Sequence, residues 1–148
     1  MEKSKFLDLE NARTPEQKKL MEKIIADGVC PFCSEHFKNY HPKPVLKETD
    51  YWFFTENISP YEGTKYHFIF VYKPGHIETP VELQTEAIVD LFALVTSAID
   101  EYKIPGGSFF MRFGEGRYTG GSVQHLHAHL LMGDADAEGH APVRVKLG

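Results

Sequence analysis

The sequence predicts an α+β fold, with an antiparallel sheet of about five strands plus short flanking strands, one long helix and short helices near the N-terminus. Three observations carry this. Tyr66-His67-Phe68-Ile69-Phe70-Val71-Tyr72 is the most β-prone run in the chain and belongs in the sheet interior. Between Pro80 and Tyr102, Ile88, Leu91, Phe92, Val95 and Ile99 recur at helical spacing and form a stripe to face the sheet. His125-Leu126-His127-Ala128-His129 alternates strictly, and in a strand alternate residues share a face with Cα atoms roughly 6.5–7 Å apart. Strands, then a long helix, then strands again suit an antiparallel sheet with one face free of helices.

In chain order, residues 1–13 read as a loosely held arm and 14–148 as one domain. Thr14-Pro15-Glu16-Gln17 opens a helix: Thr14 is the N-cap, Pro15 suits the first turn and Gln17 completes a capping-box spacing. Leu20, Met21, Ile24 and Ile25 make its apolar stripe, and Gly28 ends it. Ser34 opens a short helix to about Tyr40. Pro42 and Pro44 then break helix, and strands follow over roughly 44–48 and Tyr51 to Thr55. Asn57-Ile58-Ser59-Pro60 and Glu62-Gly63 form a loop ahead of the central strand, which Lys73-Pro74-Gly75-His76 stops. Ser108 to Phe113 is a strand, and the turn Gly114 to Gly121 delivers the chain into the histidine strand as an antiparallel hairpin. A polar loop from Gly133 to His140 precedes a last short strand, Val143-Arg144-Val145-Lys146-Leu147.

A length of 148 residues with 42% apolar content supports one continuous core. The net charge of −5 argues against a nucleic-acid polymer as partner, because phosphate backbones demand clustered Lys and Arg. With no apolar run of transmembrane length and a polar N-terminus, the expectation is a soluble cytoplasmic protein without membrane contact. Cys30-Pro31-Phe32-Cys33 holds both cysteines. A lone C-x-x-C reads as a zinc half-site, a redox dithiol or two small core residues; its place between two helices favours the half-site, which then needs two further ligands.

Neutral imidazole is a competent nucleophile toward phosphorus, and three rings held together discourage one another from charging. Gly120-Gly121-Ser122, just upstream, offers backbone amides and a hydroxyl suited to a phosphate oxygen. A nucleophile beside an anion cradle points to phosphoryl or nucleotidyl transfer. The competing reading makes all three histidines ligands of one open metal site.

His125-Leu126-His127-Ala128-His129-Leu130-Leu131, with the Asn57 loop and the His67 to His76 segment, resembles the histidine triad (HIT) superfamily of nucleotide hydrolases and transferases, whose signature is H-φ-H-φ-H-φ-φ with φ apolar. The resemblance covers about residues 28 to 132. It implies the fold of that superfamily and a purine nucleotide or nucleotide conjugate as substrate. By it, His127 attacks the α-phosphorus to give a nucleotidyl-histidine, and His129 and His67 support it. Ser122 contacts phosphate or leaving group, together with Gly120, Gly121 and Gln124, while Asn57 holds the ribose and Ile58 walls the base. A zinc-bearing branch of the superfamily implies that Cys30, Cys33, His76 and His125 hold a structural zinc. Members commonly form homodimers through the sheet edge and long helix.

The chain departs from the family pattern at particular positions. Gly121 stands where a glutamine is usual and Gly114 where an asparagine is frequent, so either Arg112, Arg117 or Gln124 supplies the phosphate contacts or the substrate differs from that of the common branches. Tyr72-Lys73-Pro74-Gly75-His76 exchanges the usual order of Pro and Lys. His36, His41 and His140 are read as exposed, with His36 or His41 as substitute zinc ligands. A nucleotide-binding module without turnover is the remaining alternative.

Overall fold

The computed structural model describes residues 4–148. Five antiparallel strands, β1 (Val45–Glu48), β2 (Trp52–Glu56), β3 (Thr64–Tyr72), β4 (Ser108–Arg112) and β5 (His127–Gly133), form one sheet in the order β1-β2-β3-β5-β4. β3 sits at the centre, as its composition predicts. Val71 pairs with His127, Ile69 with His129 and His67 with Leu131, so the two strands that carry the histidines lie side by side.

Period-2 alternation divides the sheet into two unlike faces. Trp52 and Phe54 of β2, Phe68 and Phe70 of β3, and Ala128 and Leu130 of β5 join Leu91, Leu94 and Val95 in the larger core. The last three belong to α3 (Thr85–Glu101). Trp52 is fully buried and donates its indole N–H to the Ala87 carbonyl at 2.8 Å, which fixes α3 against the sheet. On the opposite face Phe53, Ile69 and Val71 pack against Phe37 of α2 (Ser34–Tyr40). Helices therefore cover both faces, because β2 and β3 are apolar on both sides and neither face tolerates water.

α1 (Pro15–Asp27) follows its caps: Thr14 Oγ1 accepts from the Gln17 amide at 3.0 Å, and Gly28 takes the left-handed conformation at φ 70°. Its buried residues are Met21 and Ile24.

The long helix differs from expectation in extent and facing. Pro80–Glu82 is a separate 3-10 turn, and the buried positions of α3 are Ala87, Leu91, Leu94, Val95 and Ala98. Ile88, Phe92 and Ile99 are 43%, 53% and 37% exposed, so three of the five residues assigned to the buried stripe point outward. The helix is apolar over most of its circumference, and the two alanines, having the smallest side chains, set the face of closest approach.

The ends of the chain differ too. Residues 4–12 are tied down: Leu7 is buried and bridges Val123, the Asp8 amide donates to the Ser122 carbonyl, and the Gln124 amide donates to the Phe6 carbonyl. Residues 143–147 form no strand. The Lys146 carbonyl accepts from Arg112 Nη2 at 2.9 Å instead, and Lys146 Nζ reaches Asn11 Oδ1 at 2.7 Å. Among the described residues no helix is long and apolar enough to cross a membrane.

His140 is exposed and His36 half-buried, but His41 is core. Its ring stacks on Phe37 at 4.7 Å, and its Nε2–H donates to Thr55 Oγ1 at 2.8 Å, because the Thr55 hydroxyl is itself spent on the Pro44 carbonyl. Burial, with the nearby charge of Lys43, lowers the His41 pKa from 6.5 to about 4. Unfolding returns the ring to its ordinary value, so between those two pH values the unfolded chain binds a proton that the folded chain refuses. Stability is complete above that window and falls as pH drops through it. Urea unfolding from pH about 7 to about 4.5 should therefore show a steeper loss for wild type than for His41→Gln; parallel losses would remove His41 from the account.

Candidate functional site

β5 begins at His127, so His125 lies just ahead of the regular strand. The Leu126 amide donates to the Ile77 carbonyl and the Leu126 carbonyl accepts from the Tyr72 amide, which pins this lead-in between the end of β3 and the segment after it. His125 consequently turns away from its two successors. Its Nε2–H donates to the Tyr72 carbonyl at 2.7 Å, leaving Nδ1 unprotonated.

That Nδ1 meets three other donors. It lies 3.4 Å from Cys30 Sγ, 3.7 Å from Cys33 Sγ and 3.3 Å from His76 Nδ1, and Cys33 Sγ lies 3.6 Å from His76 Nδ1. All four ligand atoms fall within 4.8 Å of one another. Tetrahedral zinc, with bonds of about 2.0–2.1 Å to nitrogen and 2.3 Å to sulfur, requires donor separations of roughly 3.3–3.8 Å. Four of the six separations fall in that range, and two thiols with two imidazoles suit zinc in chemistry.

Burial raises both thiols, Cys33 to about 12, with Cys30 beside it adding to the shift. Two thiolates in this enclosure thus call for a cation. His76 Nε2 stands 3.4 Å from Glu78 Oε2, a carboxylate behind a ligating ring. Cys30, Cys33, His76 and His125 form a buried Cys2His2 cluster suited to a structural zinc, the ligand set implied by the sequence, and neither His36 nor His41 belongs to it.

His127 and His129 open instead on a cleft, lined also by residues of α1, β4, the Asn57 loop and the Ser122 loop. His127 Nδ1–H donates to the His125 carbonyl at 2.7 Å, which leaves Nε2 as the nitrogen with a lone pair. The Phe32 ring stands edge-on to it at 4.9 Å. Burial pulls its pKa to about 4 against the opposing effect of the carbonyl hydrogen bond, so the ring is neutral at neutral pH. Burial is also the leading cause at His129 and at His67, ahead of the mutual repulsion of the rings.

Behind His127 runs an ordered relay. The Tyr61 amide donates to His67 Nδ1 at 3.1 Å, so His67 carries its proton on Nε2 and donates to His129 Nδ1 at 2.9 Å. His129 in turn keeps its proton on Nε2, which is buried and without a protein partner. Asn57 Nδ2 lies 3.2 Å from His67 Nε2 while Asn57 Oδ1 accepts from the Ser59 amide. Phe110 of β4 stacks on His129 at 4.6 Å.

Asn57, Ile58, Gly120, Gly121, Ser122, His127 and His129 line the cleft together, whereas His67 stands behind it. Gln124 does not line it and faces a small separate hollow. The glycine loop also differs from the open cradle read from sequence. The Gly120 amide donates to the Gly116 carbonyl at 2.9 Å, and the Gly121 amide to Thr119 Oγ1 at 3.0 Å, leaving Ser122 as the unspent member. Gly120 is required for another reason: at φ 74° its missing Cβ would lie 2.6 Å from the Lys146 carbonyl, so the glycine admits the tail.

Of the proposed substitutes for the missing glutamine, Arg112 reaches the cleft but donates to Thr119 O, Tyr61 Oη and Lys146 O. Arg117 pairs with Glu115 at 2.9 Å outside the cleft. Sequence reasoning missed Arg13, Tyr61, His41, Arg144 and Lys146, all of which line it.

No protein-family model matches the chain, and no curated protein does. Solved structures do match. A HIT family hydrolase from Clostridium thermocellum is 21% identical, with 74% of this chain and 94% of that one covered, at a TM-score of 0.57. A histidine triad protein from Clostridium difficile is 20% identical over 71% of this chain and 90% of that one, at 0.55. A Zn-bound histidine triad family protein from Mycobacterium smegmatis is 16% identical over 78% and 82%, at 0.53. At these identities the likeness is one of fold, and it agrees with the residue pattern: the chain has the histidine triad fold and carries a Cys2His2 metal-binding cluster.

Proposed function

We propose that this chain is a histidine triad enzyme that cleaves a nucleotide conjugate, by hydrolysis or by transfer to another acceptor, through a transient bond between His127 and the α-phosphorus. The observation that carries the reading is the hydrogen bond from His127 Nδ1 to the His125 carbonyl, which directs the lone pair of Nε2 to the cleft. In the first step that lone pair attacks phosphorus and the bond to the leaving atom breaks; the leaving atom accepts a hydrogen bond from His129 Nε2–H and takes its proton from water. In the second, the hydroxide so formed adds to phosphorus, and the P–N bond breaks to return neutral His127. His67 orients His129 through their 2.9 Å contact. Ser122 serves the phosphate, Asn57 the ribose hydroxyls, and Ile58 with Phe32 the face of a purine base.

Cys30, Cys33, His76 and His125 would hold zinc as a brace for the lead-in to β5, since four protein donors leave no open coordination position for chemistry. Both cysteines are free, which suits a reducing compartment such as the cytoplasm. A second reading, a nucleotide-binding module without turnover, is favoured by the Gly120 and Gly121 amides being already spent.

His127→Gln decides among these. Turnover of a labelled nucleotide phosphoramidate should fall about a thousandfold or more, and the acid-labile label on the protein should vanish, while zinc content holds. A metal-dependent hydrolase with the triad as ligands would lose zinc and turnover together. Wild type that neither labels nor turns over a broad substrate panel would be the binding module.

The partner copy of a homodimer belongs on the outward face of α3, where Phe92 and Val89 are 53% and 65% exposed. Sedimentation should give a dimer for wild type and a monomer for Phe92→Asp. A wild-type monomer contradicts this placement.

A further inference from the structure

Four cationic side chains line the cleft: Arg13 from the arm, Arg112 from β4, and Arg144 and Lys146 from the tail. Among the described residues no Asp or Glu lines it, in a chain whose net charge is −5 with 21 acidic residues. Among the described residues, none of the four forms an ion pair. Arg13 and Arg112 even crowd one ring, with guanidinium carbons 4.4 and 5.8 Å from the centroid of Tyr61. Like charges gathered in a partly enclosed cleft without a counter-charge are unfavourable unless the ligand supplies it.

The placement is built rather than accidental. Arg112 Nη2 holds the Lys146 carbonyl, Lys146 Nζ holds Asn11 Oδ1, and Asn11 Nδ2 holds the Gly121 carbonyl at 2.8 Å. Arm, tail and glycine loop are thus stitched together, with Gly120 making room for the tail backbone. Arg144 and Lys146, two apart in the tail, both line the cleft. Arg112 has most of its donors committed, and Arg13 donates to the Ser59 carbonyl; Arg144 makes no side-chain hydrogen bond within the described chain, and Lys146 has made only one.

One diester phosphate facing His127 carries a single negative charge, which four cations exceed. We propose that Arg144 and Lys146, backed by Arg13, form a subsite for a second phosphate group of the substrate, beyond the one that faces His127. This rests on the reading of the cleft as a nucleotide site. Two sources share that chemistry: a phosphorylated leaving group, or a further phosphate on the ribose. The Lys146 backbone packs against Gly120, two residues before Ser122, which favours the leaving-group side.

The test uses the zinc-loaded full chain and calorimetric titration with inorganic tripolyphosphate, inorganic phosphate, adenosine 3′,5′-bisphosphate and AMP. Tripolyphosphate should bind wild type more tightly than phosphate does. Arg144→Ala should cut that preference about tenfold, the size of a lost charge-assisted hydrogen bond, and Arg144→Lys should restore most of it. If the bisphosphate-to-AMP preference falls instead, the second phosphate is on the ribose. Neither preference changing in Arg144→Ala or in Lys146→Gln overturns the subsite. Failure of the His127 reading shows separately, as wild type without label or turnover, and leaves the tripolyphosphate titration intact.

Discussion

His125 serves two structures at once, and the rest of the site depends on that division. Its side chain joins Cys30, Cys33 and His76, and its ring proton goes to the Tyr72 carbonyl at the end of β3. Its own carbonyl accepts the Nδ1 proton of His127. A displacement of this one residue therefore loosens the knuckle between α1 and α2 and releases the hydrogen bond that sets the His127 tautomer. A metal held by this cluster would act on the orientation of His127 from two residues away.

The two faces of the sheet divide the remaining labour. On the α3 side, Trp52, Phe54, Phe70, Ala128 and Leu130 make an apolar core behind the antiparallel β3–β5 ladder, which holds the two strands in register. On the other side the same strands present His67, His127 and His129, enclosed by α1, α2, the arm and the tail. Because β3 and β5 are adjacent, His67 and His129 meet at 2.9 Å although 62 positions separate them. The proton order along Tyr61, His67 and His129 then follows from a single backbone amide.

Much of this was legible because it is local or periodic. Alternation put His125, His127 and His129 on one face, which holds for the last two but not for His125 ahead of β5; the caps bounded α1, and the C-x-x-C between helices announced a half-site awaiting partners. His76 and His125 as those partners came from the family resemblance, and the structure brings them together. What escaped is long-range. Asn11 reaches Gly121 across 110 positions and Lys146 reaches Asn11 across 135, and no local pattern distinguishes Arg144 from any exposed arginine. The facing of α3 was misjudged for a different reason: with apolar residues nearly all round, its periodicity does not choose between Phe92 and the Ala87 and Ala98 side that packs. The glycine loop was read as an anion cradle from composition, whereas Thr119 and Gly116 already occupy its amides.

The most direct measurement is of the His127 tautomer, by long-range nitrogen–proton correlation spectroscopy on the zinc-bound, uniformly labelled protein at neutral pH. The account predicts a neutral ring with its proton on Nδ1 and a bare Nε2. A ring protonated on Nε2, alone or on both nitrogens, would contradict it.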